Sequence, residues 1–289
     1  MDGEEGLLGF NGLPEGCVST ILSFTSPQDA CRYSLVSSAF QSAAESDTVW
    51  ETFLPSDYQD LVLRATTPLK FSSKKELFLL LCDSIFIDED KKSFSLEKSS
   101  GKISYVLSTR DLSITCSDEP VYWDWTSLPE SRFSEVAVLR TMSWLEIQGK
   151  ISTQMLSPNT KYGAYLILKI TDRAFGLDLM PSEISVEVRG QLSTGTAYLR
   201  RGQDSLKRQM EHLIYANRMQ MLKSRVTEGD GRVPSERKDG WMEIELGEFF
   251  SGEKHDEVKM SLTEVKGQHL KGGLVIEGIE VRPKCPRNI

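Results

Sequence analysis

The sequence predicts an α+β protein with two domains, a small all-α domain followed by an antiparallel β-sandwich of jelly-roll-like type. In residues 10–54, apolar residues recur at helical spacing behind clear helix-start residues. From about residue 85 the pattern changes to strand-like alternation, and roughly ten such segments follow without helices between them. At 289 residues, the chain is long enough for two domains.

Residues 10–54 contain signals for four short helices. The clearest start is Ser26, which stands before Pro27 and three residues before Asp29. Such short helices cannot bury all their apolar faces against one another, so the pattern predicts a partner surface. The segment holds five acidic residues and one basic residue, which indicates a partner that tolerates an acidic face.

An ordered set of landmarks in this segment resembles an F-box: LPE at 13–15, ILSF at 21–24, Asp29, SLVS at 34–37, Phe40 and DTVW at 47–50. F-boxes of this kind dock on the Skp adaptor of cullin-RING ubiquitin ligases, so the resemblance implies a substrate receptor. The alternative is a plain helical cap on the following domain. The docking face that the resemblance implies consists of Leu13, Pro14, Ile21, Leu22, Leu35, Val36 and Trp50, unless some of these hold the small domain together.

The remaining boundaries follow from composition and pattern. Residues 1–9 are predicted to be a tail, 10–54 the F-box, 55–84 a helical linker and 85–289 the sandwich. In the linker, Ser73 precedes Glu76 by three residues, which is a capping-box pattern. An insertion is predicted at about 200–239, where ten Lys or Arg accompany six Asp or Glu. A solvated helix with a flexible tail is its first interpretation, and a basic contact for substrate is the second.

Two features of the predicted strands are specific. Alternation in residues 241–246 places Met242, Ile244 and Leu246 inward and Trp241 outward. In the last strand the parity of the apolar residues changes at Gly278, which predicts a bulge. Residues 111–125 predict a strand that enters a loop rich in large aromatic residues, and such rings either fill a core or form a platform for a ligand.

Several long tracts resemble the phloem protein 2 lectins of plants, also called Nictaba-like lectins. They are STRDLSI at 108–114, YWDW at 122–125, SRFSEVA at 131–137, WLEIQGKI at 144–151, DGWMEIELGEFF at 239–250 and IEVRPK at 279–284. The similarity runs from about residue 94 to 284. With the F-box in front, the whole chain resembles the F-box phloem protein 2-B class of plants.

The lectin resemblance implies a site for glycans that contain N-acetylglucosamine, formed by two tryptophans and two glutamates. The second tryptophan corresponds to Trp123 and the glutamates to Glu257 and Glu264, whereas Cys116 stands where the first tryptophan is expected. A thiol offers no ring face for a sugar. Glu257 and Glu264 are seven residues apart, so they face opposite sides of an unbroken strand. The alternative is solvated carboxylates on a sheet surface and tryptophans in a core.

Other classes of function have little support in the sequence. The net charge of −8 argues against nucleic-acid binding, and no apolar run is long enough for a membrane helix. Three histidines and five scattered cysteines offer no catalytic set, metal site or RING motif, so no enzyme activity, cofactor or metal is expected. The acidic first residues and unpaired cysteines indicate a location in the cytoplasm or nucleus.

The favoured hypothesis is a non-catalytic substrate receptor of a Skp-cullin-F-box ubiquitin ligase. Its partners would be the Skp adaptor, the cullin and RING subunits that the adaptor brings, and a target protein with or without a glycan. The alternative is an intracellular carbohydrate-binding lectin whose link to ubiquitin is secondary. A hydrolase on a sandwich scaffold has no residue support.

Overall fold

The helices begin close to the residues that the sequence marks as caps. The Ser26 hydroxyl accepts a hydrogen bond from the Asp29 backbone N–H at 3.1 Å, and Ser37 caps the next helix in the same way. Ser73 caps the last one by accepting from the Glu76 N–H at 3.2 Å. The helices are α1 Glu15–Ser23, α2 Pro27–Tyr33, α3 Ser38–Glu45, α4 Asp47–Phe53, α5 Tyr58–Arg64 and α6 Lys74–Cys82.

The computed structural model describes residues 13–200 and 231–284. They fall into two compact units, one of residues 13–89 with 93–104 and the other of residues 90–92 with 105–200 and 231–284. The predicted tail, and all of the predicted insertion except residue 200 and residues 231–239, lie outside the described residues.

The strands follow the helices in the chain, which confirms the α+β class. They are β1 Ile85–Ile87, β2 Lys92–Leu96, β3 Ile103–Ser108, β4 Ser113–Ile114, β5 Trp123–Thr126, β6 Val136–Leu139, β7 Leu145–Ser152, β8 Thr160–Phe175, β9 Ser182–Val188, β10 Gln191–Ala197, β11 Ser235–Glu236, β12 Met242–Ser251, β13 Glu257–Glu264 and β14 Gly272–Pro283. β1 and most of β2 belong to the first unit.

Aromatic packing joins the linker to the F-box region in the first unit. The Trp50 ring centroid lies 5.2 Å from that of Phe78 on α6 and 5.6 Å from that of Phe53 on α4. All three rings are buried, and the Trp50 Nε1–H donates to the Ala44 carbonyl at 2.7 Å. The linker helix α6 therefore completes the core of the helical unit.

Two antiparallel sheets form the second unit. The first has the order β3-β14-β8-β12-β11, with β6 beside β14 and β5 beside β6, and the second has the order β10-β9-β13-β7-β4. A Cβ added to Gly149 of β7 would come within 2.9 Å of Ile279 Cδ1 on β14, and one added to Gly247 of β12 within 2.7 Å of a Val186 methyl on β9. The sheets therefore pack face to face around one core, as a sandwich.

The predicted bulge is confirmed, and the predicted orientation of Trp241 is wrong. The pairing of β14 with β8 shifts register between Ile276 and Gly278. Trp241 lies inside, 1% exposed, and its Nε1–H donates to the Glu130 carbonyl at 3.0 Å. It precedes the first residue of β12, so the strand alternation does not govern it, and the chain around Glu130 covers the indole.

Four strands, β1, β5, β10 and β11, were not predicted, and β5 and β10 show the reason. β5 was expected to be part of an aromatic loop, but it pairs with β6 through four residues. β10 carries Gln, Ser, Thr and Gly and only two apolar residues, so it shows no apolar alternation, yet seven of its residues pair with β9. In both cases the pairing with a neighbouring strand, rather than the local sequence, stabilises the strand.

Candidate functional site

The predicted docking face of the F-box is largely exposed in the first unit. Leu35 is 88% exposed, Val36 59% and Ile21 45%, and Leu13 and Pro14 are exposed as well. Leu35 and Val36 lie in the turn between α2 and α3, and Ile21 is in the last turn of α1. These five residues leave apolar surface open to a partner.

The other two predicted docking residues are buried. Leu22 is fully buried, and Trp50 is 1% exposed within the aromatic cluster of α4 and α6. Neither side chain reaches the surface, so both hold the helical unit together, which is the alternative left open for some members of this set.

Two further large apolar residues of the F-box region are exposed outside the predicted docking set. Phe24 is 86% exposed immediately after α1, and Tyr33 is 43% exposed at the end of α2. Helical periodicity does not identify them, because both stand at helix ends, where the apolar stripe stops. A large apolar residue beside a helix terminus was the available signal.

Charges near the docking face are partly balanced within the unit. Lys75 Nζ lies 2.5 Å from the Glu45 carboxylate, and Lys74 Nζ lies 4.0 Å from that of Glu51. Both lysines belong to α6, so the linker neutralises part of the acidic excess that the sequence shows.

In the second unit, both tryptophans of the aromatic segment hold the preceding loop through their indole N–H groups. Trp123 is 1% exposed, and its Nε1–H donates to the Thr115 carbonyl at 2.9 Å. Trp125 donates in the same way to the Ser117 carbonyl at 2.9 Å, and the Arg110 guanidinium lies 3.5 Å from the centre of its ring. The Trp123 ring is enclosed, Trp125 is half-buried with the Arg110 guanidinium over its ring, and both indole hydrogen bonds hold the loop at 115–122 in place.

The structure does not bring Trp123, Glu257 and Glu264 together. β13 runs unbroken from Glu257, whose register partner is Ser152, to Glu264, whose partner is Leu145. The two carboxylates stand at opposite ends of the strand, roughly 23 Å apart at 3.3 Å per residue. As the spacing predicts, they face opposite sides: Glu257 is exposed, and Glu264 is 4% exposed.

The Glu264 carboxylate is bound by other residues of the protein. Its carboxylate forms an ion pair with Lys271, and both side chains are almost fully buried. It also accepts a hydrogen bond from the Gly267 N–H at 2.9 Å, and His269 Nε2 lies 3.8 Å away. Glu257, in contrast, meets only exposed lysines, with Lys150 Nζ at 3.4 Å.

Cys116, where the resemblance expects a tryptophan, lies exposed in the same loop as a free thiol. Its φ of 55° is in the left-handed region, which side chains other than glycine adopt at a cost. The turn at this position therefore directs a small side chain to solvent.

A cluster of charged residues lies on the first sheet. Arg237 contacts Glu243 and Glu280 at 2.5 Å, and Arg282 contacts the same two carboxylates at 2.6 and 2.7 Å. Hydrogen bonds from Lys161 and Lys284 lower the pKa of Glu248 to about 2. The cations and anions of the cluster compensate one another, so the cluster holds the strands together and marks no site.

The described ranges contain neither a metal-binding cluster nor a membrane-crossing helix. No group of three or more His, Cys, Asp or Glu side chains is placed to hold a metal ion in residues 13–200 and 231–284. Over the same residues, no helix has the length and apolar character needed to cross a membrane.

Two different known families match the two parts of the chain. Residues 10–56 match the model of the F-box-like family, and residues 102–283 match that of phloem protein 2. The chain belongs to the phloem protein 2 family. It is a member with an F-box in front, at residues 10–56.

Relatives of this phloem protein 2 family member share its whole layout. The chain is 56% identical over 279 residues to F-box protein PP2-B15 of Arabidopsis thaliana, covering 94% of this chain and 96% of that protein. It is 56% identical to PP2-B13, with 94% and 98% covered, and 54% identical to F-box protein VBF, with 94% and 99% covered, both of the same plant.

An F-box places this phloem protein 2 family member among the adaptor-type proteins of Skp-cullin-F-box ligases. Proteins of this type bring components together rather than catalyse a reaction. The exposed apolar face of the F-box helices is the part of the first unit that suits such a role.

Proposed function

We propose that the chain is the substrate-recognition subunit of a Skp-cullin-F-box ubiquitin ligase. Its F-box helices bind the Skp adaptor, and its phloem protein 2 unit selects the target protein. The observation that carries this proposal is the exposed apolar face of the F-box, where Leu35 and Phe24 are 88% and 86% exposed.

The two sides of the F-box helices differ in a way that supports docking. One side packs inward through side chains such as Val18, Leu22 and Val49, all fully buried. The opposite side leaves large apolar side chains in water, where each costs free energy until a partner covers it. Docking on an adaptor removes that cost and provides the affinity.

Replacing Leu35 by aspartate is expected to weaken binding to the Skp adaptor by at least about tenfold, because a central apolar contact is replaced by a charge that must lose its water. Leu63→Asp is the matched control, since Leu63 is 82% exposed on α5, outside the F-box. Titration calorimetry of the full chain with the adaptor measures both. Equal losses in the two variants, or no binding by the unaltered chain, would contradict the proposal.

Glycan binding by the second unit is the second candidate. It is supported by the match of residues 102–283 to the phloem protein 2 model. The buried positions of Trp123 and Glu264 argue against a glycan site formed by Trp123, Glu257 and Glu264. A glycan array tests the candidate: signal from the folded chain on N-acetylglucosamine glycans supports it, and the absence of any signal rejects it.

A further inference from the structure

The second unit has most of its exposed apolar side chains at one end. Four connecting loops lie there: residues 115–122, 140–144, 176–181 and 265–271, here called the loop end. Of the ten large apolar residues that are exposed in the described part of this unit, seven lie on or beside these loops. They include Tyr122, Trp144, Phe175 and Leu270, of which Trp144 is 54% exposed.

Hydrogen bonds connect the four loops directly. Arg140 N–H donates to the Tyr122 carbonyl at 2.8 Å, which joins the first loop to the second. Met142 and Lys271 exchange backbone hydrogen bonds of 2.9 and 2.8 Å, which joins the second to the fourth. His269 Nε2 lies 2.9 Å from the Gly176 carbonyl and links the fourth to the third.

Buried groups support these loops from beneath. Lys271 forms the ion pair with Glu264 and also donates to the Ser143 carbonyl at 2.5 Å, while the Trp123 indole holds the Thr115 carbonyl. Two of the three residues that the lectin resemblance assigns to sugar, Trp123 and Glu264, therefore brace the loop end. A surface held in this way is ordered before a partner arrives, which lowers the entropic cost of binding.

A cleft opens between two of the loops. It has a volume of about 320 Å³, and its walls include the apolar residues Met180, Pro181 and Val265 and the polar residues Thr194, Glu264 and Lys266. Trp144 precedes Leu145 and Val265 follows Glu264, and Leu145 and Glu264 are register partners, so Trp144 and Val265 leave the sheet side by side. Exposed apolar surface therefore continues from Trp144 to the cleft.

The unpaired charge at the loop end is negative. Its basic side chains already have partners: Arg140 lies 3.2 Å from Asp124, Lys266 lies 3.9 Å from Glu183, and Lys271 is buried. Asp118 and Glu119 are exposed beside Val121 and Tyr122, and neither forms an ion pair with the described residues. A basic partner would be attracted to this side of the loop end.

We propose that the loop end is the target-binding surface and that its occupant is a protein segment with a large apolar side chain beside Lys or Arg. The apolar side chain packs against Trp144 and Val265 at the cleft, and the basic side chain lies at Asp118 and Glu119. This inference rests on the proposed function as a substrate receptor and names the chemistry of the target. The exposed carboxylates of Asp118 and Glu119 favour a basic peptide over a neutral sugar, because only the peptide brings a counter-charge.

A random 12-residue peptide library displayed on phage and selected against the full chain tests the proposal. We expect enriched peptides to share a large apolar residue within a few positions of Lys or Arg. A synthetic copy of one such peptide should bind about tenfold more weakly to Trp144→Ala and to Val265→Ser. Asp118→Asn with Glu119→Gln should weaken binding about two- to fivefold and reduce its dependence on salt.

Phe250→Ala is the matched control, because Phe250 is 56% exposed and pairs with Lys161 at the other end of β8 from Phe175. It should leave peptide affinity within about twofold. Unchanged melting temperatures for all variants show that the fold persists. Binding of the Skp adaptor by the same preparations separates failure of the loop end from failure of the receptor function.

Several results would overturn the proposal. These are no enrichment, enrichment of acidic peptides, or peptide affinity that Trp144→Ala leaves unchanged. Two further occupants are checked with the same variant. If no peptide is enriched and Trp144→Ala abolishes a glycan-array signal, the loop end binds a sugar instead. If no peptide is enriched and Trp144→Ala abolishes self-association in sedimentation, the loop end binds a second copy of the chain.

Discussion

Replacing Lys271 by methionine is expected to lower the free energy of unfolding by about 3–5 kcal/mol. The side chains of Lys271 and Glu264 are 1% and 3% exposed, and their ion pair lies among the loops at one end of the sandwich. Methionine fills much of the same space but leaves the Glu264 carboxylate buried without a counter-charge. Because a buried, unpaired charge has lost its water, the folded state bears nearly the whole desolvation cost.

Chemical denaturation monitored by tryptophan fluorescence measures this change. Lys150→Met is the control, since Lys150 and Glu257 form an exposed pair, 57% and 53% exposed, whose loss should cost less than about 1 kcal/mol. Adding Glu264→Gln to Lys271→Met should restore more than half of the loss, because the amide still accepts from Gly267 and carries no charge. A single variant as stable as the unaltered chain would show that water reaches Glu264.

Replacing Trp123 by alanine is expected to lower the free energy of unfolding by about 3–5 kcal/mol. The indole is 1% exposed, so its removal leaves a cavity, and the Thr115 carbonyl loses its donor at 2.9 Å. The loop at 115–122 should lose order together with global stability, which hydrogen exchange of its backbone amides can follow.

Trp144→Ala is the matched control for that experiment, because Trp144 is 54% exposed in the same unit. It should change the free energy of unfolding by less than about 0.5 kcal/mol. A stable Trp123→Ala with normal loop protection would mean that the ring is not a brace, and its role in glycan binding would then be open to a direct test. If Trp123→Ala unfolds, a lost glycan signal says nothing about sugar contact.

Local chemistry made part of the fold predictable. Ser26, Ser37 and Ser73 cap helices in the structure because a capping hydroxyl bonds an N–H only three residues away. The bulge at Gly278 is similarly local, since a change of parity in one strand requires an extra residue there. Such features depend on neighbours in the sequence, so they can be read without knowledge of the fold.

Other features depend on residues that are distant in sequence. Trp241 is buried because its indole donates to Glu130, more than one hundred residues earlier in the chain. β10 is a strand because β9 pairs with it, although its own polar sequence shows no alternation. No local pattern encodes either contact.

The sequence by itself determined the class of the protein and the order of its F-box and phloem protein 2 parts. These follow from caps, apolar periodicity and ordered motifs. Only the tertiary structure decided which candidate residues are available to a ligand. Trp123 and Glu264 are enclosed by Thr115 and Lys271, whereas Trp144 remains exposed. Burial depends on the packing of loops that are far apart in the chain, which is why residue type alone could not separate a brace from a binding residue.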